Sequence, residues 1–480
     1  MSSRFGDGRG GPGMQRSQKR TTYRWPWRYG RAMSATPRAS REPGSRPFPD
    51  EPVGKVNGEM PFEQIVVVMM ENHSFDNLLG AMPLTRADVD GLAFENGEAT
   101  DSNPGGTKTP SVVKAFPVGN TSQRSDISQS WADSHEQING GKMDGFVKST
   151  NSEQPMGYYT PEVLPFAYSL ASTFTLANRW FSSLPGPTYP NRRFLLAGTA
   201  YGTTVTEGDP LMQASPKSGT VFEMLSRHGI TWAEYFSDLP MSIVVGRSVV
   251  EESVFEHHKH HHLIDKFFED CANNNLPRVS FVDPRIGVAS RIGKPIAELP
   301  EPFRAWLKVV GADLTNADPA ETEEDPQDLY YGEIWAHKLI TALMESPSWP
   351  TTCLVYLYDE HGGYYDHVPP PAAVPPDNIP PALQPGDPNV GYTQYGPRVP
   401  AIVVSPYSKP AATTDVVHDH TSVLATIEAK WNLPALTWRD ANAETIIDFL
   451  DPTTAAFLHP PTLAAPSATG PSGPVASAPN

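Results

Sequence analysis

The stretch Ile65-Val66-Val67-Val68-Met69-Met70, followed at once by Glu71-Asn72-His73-Ser74-Phe75-Asp76, decides the fold. An unbroken apolar run that opens on four β-branched residues suits a strand buried on both faces of a largely parallel sheet. The abrupt change to polar residues marks its carboxyl end. Thr352-Cys353-Leu354-Val355-Tyr356-Leu357-Tyr358 has the same character and runs into Asp359-Glu360, and Val399 to Val404 form a third apolar run.

Segments of helical period separate these runs. Val221, Phe222 and Leu225 precede Gly229 as a stop, and Val423, Leu424, Ile427 and Trp431 follow Thr421 as a cap. Ile334, Leu339, Ile340 and Leu343 form an apolar stripe that joins the Thr352 strand through Ser346-Pro347-Ser348-Trp349-Pro350. Strands alternating with helices predict an α/β fold: three layers, with a central, mostly parallel sheet covered by helices and carrying long loops. The 51 prolines and 37 glycines among 480 residues account for those loops.

Composition assigns residues 1–58, rich in Arg, Gly, Pro and Ser, to a disordered tail, and residues 460–480, rich in Pro, Ala and Ser, to a second one. A single catalytic domain is expected over residues 59–459. The formal charge of −17 disfavours nucleic acid as a partner, because binding phosphates needs a dominant basic face. Up to Glu51 the chain has ten arginines and Lys19 against four acids, a tail that would touch anionic lipid only weakly. The rest of the chain is strongly acidic and needs a local cation wherever it meets an anionic substrate.

Cys271 and Cys353 are too few for a disulfide scaffold or a zinc cluster, and Cys353 reads as a small buried hydrophobe. The absence of a long apolar stretch predicts no transmembrane segment. With no apolar leader visible, cytoplasmic is the default address, and a different start would allow a secreted or cell-envelope one. The run His257-His258-Lys259-His260-His261-His262 reads as a solvated loop, since no acid or cysteine is spaced to complete a metal site.

Two strands therefore end in acids, and ligand crevices in α/β sheets lie beyond strand carboxyl ends. Glu71-Asn72 and Asp359-Glu360 can converge there, and converging anions ask for a cation. Hard oxygen donors suit calcium, magnesium or manganese, with zinc as the further choice.

Several blocks fall in a fixed order: Met70-Glu71-Asn72-His73-Ser74-Phe75-Asp76, Gly140-Gly141-Lys142-Met143-Asp144-Gly145-Phe146, Met156-Gly157-Tyr158-Tyr159, Pro185-Gly186-Pro187-Thr188-Tyr189-Pro190-Asn191-Arg192, Tyr358-Asp359-Glu360-His361-Gly362-Gly363 with Asp366-His367-Val368, Arg398-Val399-Pro400, Ser405-Pro406-Tyr407 and His420-Thr421-Ser422. Together they resemble the phosphoesterase family that includes bacterial non-haemolytic phospholipases C and certain acid phosphatases, within the alkaline phosphatase and sulfatase superfamily.

The resemblance implies an alkaline-phosphatase-like domain and a phosphoester substrate, with phospholipid among the candidates. It implies one divalent ion held by Glu71, Asn72, Asp359, Glu360 and Thr188. Thr188 would double as nucleophile, since coordination makes an otherwise poor hydroxyl nucleophile reactive. In-line attack would give a phosphothreonine that water then hydrolyses. His367 and His420 are candidate proton donors, and Asn191, His135 and His361 candidate substrate contacts.

Two positions depart from the family pattern. Gln129-Ser130-Trp131 and Asp325-Pro326 stand where relatives commonly carry His before Ser-Trp and before Pro. Losing two potential cations weakens binding of a doubly charged monoester more than of a singly charged diester, which favours a phospholipase C-like phosphodiesterase. An acid phosphatase acting on monoesters, or a protein that binds metal and phosphoester without turnover, are the alternatives.

Overall fold

The computed structural model describes residues 39–206, 216–245, 258–287, 308 and 318–467. The expected Arg-rich tail up to residue 38, His257 and residues 468–480 lie outside this range.

Eight described strands make one sheet: β1 (Gln64–Met70), β2 (Thr175–Ala177), β3 (Trp232–Phe236), β4 (His261–Leu263), β5 (Val279–Asp283), β6 (Thr352–Tyr358), β7 (Ala401–Val404) and β8 (Thr413–Thr414). Their spatial order is β4-β3-β5-β1-β6-β7-β2-β8. Pairing is parallel except at β7, which runs against both β6 and β2. This is the mostly parallel α/β sheet that the apolar runs predict. β1 is central, between β5 and β6, and buries every side chain from Ile65 to Met70.

The helices that bear on function are α1 (Phe75–Leu79), α2 (Trp131–Ile138), α3 (Pro165–Thr173), α4 (Thr188–Ala197), α5 (Val221–Arg227), α6 (Ile264–Ala272), α7 (Leu329–Glu345) and α8 (Thr421–Trp431). Among them α7 packs with α3 and α6, α1 with α3, and α4 with α5 and α8. α5 starts on a capping box in which the Thr220 side chain and Glu223 satisfy each other's backbone N–H groups. α7 buries Trp335, Ala336, Leu339, Ile340 and Leu343, whereas Ile334, expected in that stripe, faces solvent. At α8 the N-cap is His420, and Thr421 is the first helical residue rather than the cap. Both cysteines are free and buried. No described helix is long and apolar enough to cross a membrane.

Residues 40–57, which composition places in the tail, lie against the end of α8 and do not behave as a disordered tail. A helix leaves its last carbonyls without intrahelical partners. Here Lys430 O accepts from Asn57 N at 2.7 Å and Trp431 O from Gly54 N at 3.0 Å. Asn432, the left-handed C-cap, donates to the carbonyls of Phe48 and Glu51, both at 2.9 Å, and accepts from Phe48 N at 2.9 Å. A segment poor in apolar residues is thus ordered by backbone hydrogen bonding instead of by a core. The histidine run differs from expectation as well: His261 is buried on β4 and pairs with Glu234 at 3.0 Å, because β4 adds to the sheet edge.

Asn432→Ala removes these bonds and places a Cβ residue without polar compensation in the left-handed region. We expect it to cost roughly 1–3 kcal/mol of unfolding free energy, measured by urea denaturation, and to speed tryptic cleavage at Arg41 and Lys55.

Candidate active site

The register of β1 with β6 pairs Met70 with Tyr358, so the residues just beyond both strands emerge side by side. Asp359 N donates to Met70 O at 3.2 Å, and Glu71, Asn72, Asp359 and Glu360 are all buried. Thr188 is the first residue of α4, and its hydroxyl donates to Asn72 Oδ1 at 3.2 Å. The nucleophile candidate and the expected metal ligands therefore share one neighbourhood, although they come from three distant stretches.

What joins them is Arg192, to which sequence reading gave no role. It lies one helical turn after Thr188, on the same face of α4. Fully buried, it is 3.3 Å by Nη2 from Glu71 Oε1 and 3.3 Å by Nε from Asp359 Oδ2. Nη2 also donates to Met69 O at 3.2 Å. Burial works against its charge, but Glu71, Asp359 and Asp283 together hold its pKa above the usual value.

When ionised, the three carboxylates outnumber this one guanidinium by two charges. Burial pushes the pKa of Asp359 and of Glu360 well up, and the proximity of Glu71 adds to both. Glu360 Oε1 is buried with no hydrogen-bond partner among the described residues. Carboxylate, amide and hydroxyl oxygens around a net negative charge fit a divalent cation.

The loop ahead of Thr188 is held by Asn191. Its Oδ1 accepts from Leu184 N at 3.1 Å, and its Nδ2 donates to Gly186 O at 2.8 Å and Pro187 O at 3.2 Å. The amide of Asn191, a candidate substrate contact, bonds the turn that leads into Thr188. Gly362 closes over the other side with φ +63°, and a Cβ there would come within 1.8 Å of Asn72 O.

The histidines divide. His420 donates from Nε2 to Asp359 O at 2.6 Å and accepts at Nδ1 from Trp180 Nε1 at 3.4 Å. Burial lowers its pKa to about 4. Both ring nitrogens of this candidate proton donor are engaged in the structure, one of them on the Asp359 carbonyl. His135 bonds the carbonyl of Trp131 in its own helix at 2.6 Å and lies against that indole, which accounts for its ring without a substrate. His361 is buried, with Nε2 2.6 Å from Gln137 Oε1, and burial lowers its pKa to about 3.

His367 belongs to a second charged group. It bonds Asp76 at 2.7 Å and Asp90 at 3.2 Å, while Arg398 donates to Asp76 at 3.1 Å and to Asp366 at 2.9 Å. Asp76, Asp366 and His367 have metal-ligand spacing, but Arg398 already supplies their counter-charge. Burial would lower the His367 pKa, yet Asp76 and Asp90 outweigh it and push it up to about 10.

At the two departures from the family pattern, Asp325 is a buried acid receiving the Tyr364 hydroxyl at 2.9 Å and Gln154 Nε2 at 3.2 Å, and the Gln129 carbonyl accepts from Ser134 Oγ.

The sequence profile of the Phosphoesterase family matches residues 62–434. Non-specific phospholipase C3 of Arabidopsis thaliana is 30% identical over 420 residues, which is 80% of this chain and 73% of the plant protein. Non-hemolytic phospholipase C of Pseudomonas aeruginosa is 28% identical over 443 residues, which is 82% of this chain and 58% of the bacterial protein. Among solved structures, an alkaline phosphatase superfamily protein from Vibrio parahaemolyticus is 13% identical with a TM-score of 0.30, covering 75% of this chain and 77% of its own.

The His367 pairing makes stability pH-dependent. Its folded pKa of about 10 lies above the ordinary 6.5, so its contribution is complete below pH ~6.5 and is lost as pH rises through ~10. We expect His367→Gln to cost about 1.5–3 kcal/mol in mildly acidic buffer. The melting-temperature gap to wild type should shrink steadily as pH is raised, and a constant gap would contradict the assignment.

Proposed function

The chain belongs to the Phosphoesterase family, and on that premise we propose that it is a phospholipase C-like phosphodiesterase that uses Thr188 as its nucleophile. Hydrolysis of phosphoester bonds is the activity of the family to which it belongs. The observation that carries the finer reading is the placing of the Thr188 hydroxyl, 3.2 Å from Asn72 and one helical turn from the arginine that spans Glu71 and Asp359.

Glu71, Asn72, Asp359, Glu360 and Thr188 would hold one divalent ion. When bound, that ion lowers the pKa of the hydroxyl and neutralises charge on the phosphoryl oxygens. The protein's own part is positional. Asn191 fixes the loop from Leu184 to Thr188, and the N-terminus of α4 adds its positive dipole end where negative charge develops.

In this scheme the threonine oxygen forms a bond to phosphorus as the P–O bond to the leaving alcohol breaks in line with it. The alcohol departs with the proton that the Thr188 hydroxyl gives up, leaving a phosphothreonine ester. Water then attacks phosphorus, the P–O bond to Thr188 breaks, and a phosphomonoester is released. His420, with both nitrogens engaged, braces Asp359 through this cycle.

Asp325 supports a diester as substrate, because a buried acid supplies no cation for the second charge of a monoester. Phosphatidylcholine is the first natural substrate to try, since relatives at about this distance are named phospholipase C.

The test is metal-stripped protein supplied with calcium, magnesium, manganese or zinc singly, assayed on phosphatidylcholine, bis-p-nitrophenyl phosphate and p-nitrophenyl phosphate. We expect diester hydrolysis restored by a divalent ion, monoester hydrolysis slower, and Thr188→Ala lower in kcat by on the order of 10³-fold or more. Preference for the monoester would identify a phosphatase instead. Turnover unchanged in Thr188→Ala would remove the nucleophile assignment.

A further inference from the structure

A sheet face covered by a helix is normally apolar, yet the face under α4 has two acids. The register sets Val67, Phe281, Glu234 and His261 side by side across β1, β5, β3 and β4, and Asp283 lies two residues beyond Phe281 on the same face. Glu234 and Asp283 are both buried. One turn holds them: Met241 N donates to Asp283 Oδ2 at 3.0 Å, and Ser242 N to Glu234 Oε1 at 2.7 Å. Glu234 Oε2 has His261 Nε2 at 3.0 Å on one side, and a carboxylate oxygen accepts more than one hydrogen bond. Two buried carboxyl groups are costly unless something polar faces them.

The group that faces them belongs to α4. Arg192, Glu234 and Asp283 line one small cavity between the sheet and the helix, closed elsewhere by apolar side chains of β1, β5 and α4 and by Met241. It leaves about 10 Å³ for the centre of a water-sized sphere, the room of a single water. Arg192 reaches Glu71, Asp359 and the carbonyls of Met69 and Met70 through Nη2 and Nε alone. Nη1 has two more N–H groups, and a buried N–H left without an acceptor is costly. The nearby charge of Asp283 helps to keep the guanidinium ionised, although among the described residues neither Asp283 nor Glu234 forms a direct ion pair with it. Polar groups that face each other across more than a direct bond are commonly joined by water.

We infer that Arg192 is held from the sheet side by one internal water, which accepts from Nη1 and donates to the Asp283 and Glu234 carboxyl groups, and that these two acids are positioning residues for the reaction centre. The positioning role rests on the reading of Glu71 and Asp359 as part of that centre. Nη2 and Nε bind the near edge of the guanidinium, and the water binds its far edge, so the plane cannot tilt without breaking a bond. Three polar partners are the usual number for a buried water.

A crystal structure of the full chain, at a resolution that shows ordered water, tests the site directly. The expected result is one water in this cavity, about 3 Å from Nη1 and from an oxygen of Asp283 or Glu234. A cavity without water, or Nη1 bonded straight to either acid, overturns the site. Val67→Ile, which adds one methyl at the cavity wall, supplies an independent sign. Displacing a bonded water strands the Nη1 N–H groups and lowers the melting temperature, whereas filling a dry apolar gap raises it. A rise overturns the site as well.

The positioning role is read separately, from turnover of bis-p-nitrophenyl phosphate. Glu234→Gln keeps an acceptor for the Ser242 N–H and removes the charge beside the water. It should lower kcat about 3–10-fold with KM near that of wild type. The loss should vanish in an Arg192→Lys background, because lysine has no second nitrogen for the water to hold. An unchanged kcat, or losses that multiply in the double variant, overturns the role. If wild type hydrolyses no phosphoester with any of the four metals, the proposed function fails, while the crystal structure still decides the water site.

Discussion

Like charges buried together set the terms for this end of the sheet. Glu71, Asp359 and Glu360 stand at the carboxyl ends of neighbouring parallel strands, out of contact with water, where Glu71 raises the cost of ionising both Asp359 and Glu360. Such a cluster persists only if positive charge is delivered to it. Arg192 delivers part, and to do so α4 must start where it does, which carries Thr188 to within hydrogen-bonding distance of Asn72. The position of the Thr188 hydroxyl is in this sense a by-product of charge compensation.

Around that centre the structure ties loops together through buried cations and backbone carbonyls. Arg398 bonds Asp76 and Asp366 and also donates to the carbonyls of Asp90 and Asn178, so α1, the turn after Asp359-Glu360 and the end of β2 meet on one guanidinium. Arg439 joins the carbonyls of Ser183 and Tyr392 in the same manner, linking the Thr188 loop to the long proline-rich excursion before β7. These side chains satisfy carbonyls that regular secondary structure leaves unpaired.

The large features of the molecule were legible in the sequence for a definite reason. Central parallel strands bury both faces, so β1 and β6 appear as unbroken apolar runs, and the acids beyond them stand out by contrast. Short elements were not legible: β4 is three residues of His-His-Leu, and only pairing with β3 makes it a strand. Individual duties were harder still. Asn191 and His420 sit inside site motifs, and the bonds they make to buried loop groups nearby depend on tertiary neighbours that the motifs do not show. Arg192 was visible only as a letter one turn beyond Thr188, and its importance emerges once both strand ends are in place. The segment from residue 40 to 57 misled because its order comes from the carbonyls of α8, which composition does not reveal.

Because Thr188 and Arg192 project from one face of one helix, their contacts with Asn72, Glu71 and Asp359 are geared to the rotational setting of α4. A slip of a single residue would turn both side chains by about 100° and advance them about 1.5 Å, withdrawing the hydroxyl and the counter-charge in the same stroke. One rotation of α4 thereby sets both the hydroxyl beside Asn72 and the charge between Glu71 and Asp359. Any effort to reshape its specificity would do well to recut the surrounding loops and leave that helix seated.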